Sequence, residues 1–236
     1  MTKCYDIVPE NLFSKLSFAM KNKKQLTADI FFVLQLILAA VSGGSQFVRL
    51  LTTSQGLNVS WLASWLAFLF INLALTIRAH RSQPSRVTLQ TFLSYGAWTT
   101  VITANLILLL WKGTAVWDAK DTVTTLAVSL GLLLTLVWAR WRSLTLSDPL
   151  VHGLFAVCFI GLPQVTLAYK IFQVGGAGLA AGMLLAGHVA IMTRLGQLWF
   201  TIREAGWDRN RLGAALSELA NEITWLLVTF AWLRNP

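Results

Sequence analysis

Charge is scarce in this sequence. Aspartate, glutamate, lysine and arginine make up 12% of its 236 residues, against about one quarter in an average soluble domain. That shortfall excludes a separate soluble domain, because the charged stretches between apolar runs are too short to fold alone. Cysteine is scarcer still: Cys4 lies in the N-terminal tail and Cys158 in an apolar run. Two residues so placed imply neither a disulfide framework nor a metal cluster. His80, His152 and His188 are scattered over different regions. No pair of them has metal-ligand spacing, and no nucleophile has an obvious base nearby. An enzyme is therefore not expected, and no catalytic residue, metal or cofactor is assigned. The last apolar run has no lysine, which argues against a retinal Schiff base.

Apolar residues, by contrast, make up 56% of the chain, with mean hydropathy +0.62. A membrane-spanning helix needs roughly 20 mostly apolar residues. Seven segments approach this: Ile30–Leu51, Val59–Ile77, Thr91–Trp111, Val123–Trp138, Leu150–Phe172, Gly178–Phe200 and Leu212–Leu233. The fourth is the shortest. The first begins too far in, and runs too long, to be a cleaved signal peptide. Ahead of it, Pro9–Gln25 mixes Leu12, Phe13, Leu16 and Phe18 with Lys15, Lys21, Lys23 and Lys24. This pattern predicts a basic amphipathic helix lying on an anionic leaflet.

The net charge of +9 does not point to nucleic acid, because the basic residues sit between spans. Seven spans make the connecting segments alternate sides. The N-terminus and the loops after spans two, four and six hold thirteen of the basic residues, from Lys3 to Arg211, against five on the other side. The five are Arg49, Lys112, Lys120, Lys170 and Arg234, and Arg194 falls inside span six. The positive-inside rule then places the N-terminus in the cytoplasm.

Pro163-Gln164 interrupts the fifth apolar run. A proline inside a helix donates no backbone hydrogen bond and presses on the carbonyl four residues back. The helix must kink or loosen there, and in a bilayer the freed carbonyl needs a partner within the protein. The two halves of the chain are also alike. Gly43-Gly44-Ser45-Gln46 is followed by a short turn at Ser54-Gln55-Gly56, and Gly161-Leu162-Pro163-Gln164 by one at Gly175-Gly176. Gln46 aligns with Gln164. Span two ends Thr76-Ile77-Arg78 and span six ends Thr201-Ile202-Arg203. The chain reads as three helices, one linker helix and three helices, a parallel repeat. The predicted divisions are 1–28 (basic N-terminal segment), 29–112 (first repeat), 113–147 (linker helix) and 148–236 (second repeat).

This pattern resembles the PQ-loop family, which includes the SWEET sugar transporters and the lysosomal cystine and cationic amino-acid exporters. The resemblance covers roughly Ile30 to Leu233. It implies an all-α membrane protein of seven helices, SWEET-like in its 3+1+3 layout. In the first repeat Ser45 stands in place of the proline, and Gly43 and Gly44 supply comparable looseness. Pro163, Gln164, Gly43, Gly44 and Gln46 are accordingly the candidate hinge residues. Members of the family usually place the N-terminus outside, the reverse of the charge count here.

Ionisable residues inside a span are functional candidates by default. Glu218, Asn221 and Glu222 share one face of the last helix. Counting rise per residue, Arg194 lies at the depth of Glu218, and His188 roughly at that of Glu222. Arg194 and Glu218 form a candidate ion pair. Glu222, with or without His188, carries a proton or binds a cationic group on the functional reading. On the bland reading His188 is a hydrogen-bonded core histidine. The resemblance to proton-coupled exporters favours an acidic residue in the last helix. Sugar-transporting relatives hold solute with an asparagine and aromatics from the third helix of each repeat, which points to Asn221, to Trp98 or Asn105, and to Trp225. Most of the other tryptophans, Trp61, Trp111 and Trp141 among them, lie near span ends and read as interfacial anchors. Gly178, Gly182 and Gly187 form a small-residue stripe expected to pack on span five or seven.

The leading expectation is a small-solute transporter working by alternating access, with or without proton coupling. Its solute would be a sugar, an amino acid or similar. The alternative is a non-transporting receptor or lipid-handling protein on the same scaffold, since fold does not fix function. The expected partners are the solute, the bilayer and, with copy number left open, further copies of the chain, with no nucleic acid. The expected location is a bacterial inner membrane or an organellar membrane.

Overall fold

The computed structural model describes residues 10–113 and 117–236. For 10–25, 27, 28, 204 and 205 only the backbone path is described. Cys4 and the side chains expected to make the N-terminal segment amphipathic therefore lie outside the described part. The backbone from Glu10 runs without interruption into the first apolar helix, α1 (Glu10–Thr52).

Every regular element among the described residues is helical. The order is α1, α2 (Val59–Ser82), α3 (Arg86–Trp111), α4 (Ala119–Trp141), α5 (Pro149–Ala156), a π-helical turn (Val157–Gly161), α6 (Leu162–Val174), α7 (Ala181–Ala205) and α8 (Arg209–Arg234). Short polar residues set the starts. Ser85 and Thr88 form a reciprocal capping box at α3, and Asp118 and Asp121 form another at α4. Asp148 caps α5 ahead of Pro149, and Asp208 caps α8. Each accepts bonds from backbone N–H groups that the first helical turn leaves unpaired.

Among the described residues, five helical stretches are long and apolar enough to cross a bilayer: Asp29–Thr52, Val59–Ser82, Arg86–Trp111, Ala119–Trp141 and Pro149–Val174. The protein is a membrane protein by that measure. The fourth apolar run, the shortest in the sequence, is extended at its start by the Asp118 cap to a helix of 23 residues. Helices α7 and α8 have spanning length, at 25 and 26 residues, but carry Arg194, Glu218, Asn221 and Glu222 within them and are less apolar.

The proline break takes a specific form. Pro163 enters α6 at its first turn, and the preceding residues widen into the π turn, where Leu162 N–H bonds Val157 O five residues back. A wide turn makes room for the ring where a regular α-turn would clash. Packing follows a simple pattern. Helix α3 sits between α1 and α2, and α8 sits between α5–α6 and α7. The two trios meet where α1 packs on α7 and where α2 packs on the π turn and α6. Helix α4 leans on α2, α5, the π turn and α6.

Candidate functional site

At the junction of the two trios lies a small cavity of about 30 Å3, lined by Ser42, Trp65, Trp98, Gln164, Asn221 and Trp225, with apolar Met183 and Ile191 and the side chain of Arg194. It has room for a water molecule or two. Gln164 Nε2 donates to Asn221 Oδ1 at 2.9 Å, and Thr224 donates its hydroxyl hydrogen to Gln164 Oε1. Sequence reasoning placed Gln164 in a hinge. In the structure it forms a polar wall of the cavity.

A second space, about 350 Å3, opens at the end where α1 and α3 begin and α7 finishes. Phe31, Gln35, Gln90, Ser94, Tyr95 and Gln197 line it, together with Trp98 and Arg194. Trp98 and Arg194 thus border both spaces and separate the vestibule from the inner cavity. Arg194 Nη1 lies 3.3 Å from Glu218 Oε1, and its Nε donates to Ala190 O.

The opposite end is sealed. The turn after α1 and the turn after α6 interlock: Gly178 N–H donates to Gln55 O at 2.8 Å, and the Gln55 amide donates to Val174 O. Gly56 and Gly175 both have positive φ, +81° and +89°, and a Cβ on Gly56 would stand 2.0 Å from Gly175 O. Only glycine takes that backbone at so close an approach without strain. Gln46 pins the second turn from α1, donating to Gly178 O at 2.8 Å and accepting from Ala180 N–H at 2.9 Å. Behind this seal Trp61 stacks on Trp225, with ring centroids 6.1 Å apart, and the series continues through Trp65 to Trp98.

Asn221, Trp98 and Trp225 line the cavity. Asn105 does not: its amide donates to Gly43 O and Val101 O, tying α3 to α1. Gly43 sits at that crossing, where a Cβ would stand 1.7 Å from Val101 Cγ1, so the glycine allows a close helix contact. Gly44 has nothing near it, and α1 is unbroken through both glycines. Glu222 and His188 lie behind Trp225. His188 Nδ1 is 2.7 Å from Glu222 Oε1, and His188 Nε2 is 2.8 Å from Thr229 Oγ1. His188 reaches a separate groove beside α7.

Three readings of lesser residues change. Trp61 is 1% exposed rather than interfacial, because the interlocked turns draw the start of α2 inward. Trp111 and Trp141 are exposed, as anchors would be. Gly178 and Gly182 pack on the Ser54–Gln55 turn and on Ser45 of α1, and only Gly187 faces α8, at Trp225. Lys170, counted in the sequence only as a loop charge, pairs with Asp118 at 2.9 Å. Burial raises the Asp118 pKa, but the Lys170 hydrogen bond, the backbone N–H groups of Asp121 and Lys120 and the Lys170 charge outweigh it and hold the carboxyl below its ordinary value. Asp121, fully buried, accepts from Ser60 N–H and Ser60 Oγ at 2.8 and 2.6 Å and so fastens α4 to the start of α2. The acidic capping pattern at 118–121 was its only signal in the sequence.

No protein-family model, curated protein or solved structure matches this chain.

Proposed function

We propose that the protein is a small-solute transporter of the PQ-loop type, with two three-helix repeats joined by the linker helix α4, captured open toward one side. One observation carries this reading. A cavity bordered by both trios is closed at one end by interlocked turns and faces a vestibule of about 350 Å3 at the other. That volume lies in the range of small-molecule sites. The matching order of packing in the two trios supports a parallel repeat, and a site at the repeat interface is the arrangement such transporters use. With the N-terminus in the cytoplasm by charge count, the open side is cytoplasmic.

In this reading the outer turns part while the vestibule closes. Pro163 and the π turn provide the yielding point on the second repeat. Glu222 and His188, hydrogen-bonded to each other but screened from the cavity by Trp225, form a proton site coupled to α8 rather than a solute ligand. The test is uptake by proteoliposomes across a panel of sugars, amino acids and organic acids. Saturable uptake of any of them supports transport. Saturable binding with no uptake of the bound compound identifies a receptor instead.

A further inference from the structure

The polar groups around the inner cavity are unequally satisfied. The two side-chain amide oxygens in its lining are occupied: Asn221 Oδ1 accepts from Gln164, and Gln164 Oε1 accepts from Thr224. The donors are not. Among the described residues, the Asn221 NH2 group and the indole N–H groups of Trp65 and Trp98 make no hydrogen bond. Ser42 Oγ, on a residue 1% exposed, is buried without a partner. Arg194 spends Nη1 on Glu218 and Nε on a backbone carbonyl, leaving Nη2 unengaged at the boundary of the two spaces. Buried polar groups are normally satisfied, and of these donors Ser42 Oγ is fully buried, while the others open into the cavity. A cavity that offers donors and a guanidinium, between aromatic walls, calls for an acceptor-rich ligand with an apolar body. Arginine's planar fork matches a carboxylate in particular.

We propose that the solute bound here is a small carboxylate, its oxygens toward Arg194 and Asn221 at the mouth of the inner cavity and its apolar part in the adjoining vestibule, against Trp98, Tyr95 and Phe31. The assignment rests on reading this cavity as the solute site. Glu218 competes for Arg194: its Oε1 holds Nη1, while its Oε2 is buried without a partner. A bound carboxylate takes over part of the guanidinium, so Glu218 sets the affinity from below.

The test is tryptophan fluorescence and thermal unfolding of the purified full chain, titrated with sodium acetate, propionate and benzoate and with the matching amides, against sodium chloride at equal ionic strength. A ligand that binds only the native state raises the unfolding midpoint with its concentration. At least one carboxylate should bind saturably, and its amide at least tenfold more weakly. Arg194→Gln should weaken carboxylate binding at least tenfold, whereas Glu218→Gln should strengthen it several-fold. If Arg194→Gln does not fold, Glu218→Gln decides. Amides binding as well as acids, no carboxylate binding at all, or a loss of affinity in Glu218→Gln would each overturn the assignment. Carboxylate binding without uptake supports this site and contradicts transport. Uptake of a neutral solute with no carboxylate binding supports transport and contradicts the carboxylate.

Discussion

Gln46, near the end of α1, holds Gly178, a residue of the other half of the chain, through a 2.8 Å bond from its side-chain amide to the glycine carbonyl. Its aligned counterpart, Gln164, turns instead to Asn221 and Thr224 within its own half. The two glutamines occupy matching places in the sequence and do different things. One fastens the interlocked turns and the other builds the cavity wall.

Gln46→Ala removes the partners of two buried backbone groups, Gly178 C=O and Ala180 N–H. Each orphaned group costs about 1–3 kcal/mol. The unfolding midpoint should fall, and the Ala180 amide should exchange with deuterium much faster. Gln164→Ala should leave that amide protected. Unchanged protection at Ala180 in the first variant would show that the seal does not depend on the clamp.

Pro163→Ala restores an N–H at the π turn and removes the ring that holds the turn open. The protein should express normally and unfold at a higher temperature. It should also exchange solute more slowly, because the yielding point has stiffened. Transport at the wild-type rate would reduce the proline to a feature of the fold.

Asp118 offers a pH-dependent test outside the membrane. Its folded carboxyl is held below the ordinary value, its burial outweighed by the Lys170 hydrogen bond and the backbone donors. The stabilisation is therefore complete above the unfolded aspartate pKa of about 3.9. It is lost as pH falls through the lower folded value. Asp118→Asn keeps a good helix cap but drops the charge. At neutral pH it should cost on the order of 0.5 kcal/mol, since the group is partly exposed and screened. The gap between the two proteins should close in acid, as followed by thermal melts across pH. A gap that persists in acid, where the carboxyl is protonated in both folded and unfolded states, would show that the ion pair is not its source.

Glu222→Gln keeps the shape of the His188 contact and removes the carboxylate. If the pair is the proton site, uptake should lose its dependence on pH while folding survives. Glu218, one turn away on α8 and bonded to Arg194, should not substitute for it. A pH profile identical to wild type would remove Glu222 from the coupling.

Some of this was legible in the sequence. The apolar runs located the helices, Pro163 located the break, and rise per residue set Arg194 level with Glu218 and His188 level with Glu222. The structure places those pairs 3.3 and 2.7 Å apart. What periodicity cannot say is which neighbour a buried face meets. Asn105 shared the features of a solute ligand, yet it meets Gly43 because α1 and α3 cross there. Trp61 had the position of an anchor, yet two interlocked turns bury it. The link from Gln46 to Gly178 spans 132 residues, and only the three-dimensional meeting of the two turns creates it.

Access to Ser42 tests the central claim most directly. This residue lines the inner cavity and is buried. Ser42→Cys, in a chain with Cys4 and Cys158 replaced by serine, gives a single small reporter there. In sealed vesicles of each orientation, a membrane-impermeant thiol reagent should reach it from both sides in turn. A disulfide formed between Gln55→Cys and Val174→Cys across the outer turns should block labelling from the outer side alone. Labelling that comes only from the vestibule side, with or without that crosslink, would contradict alternating access.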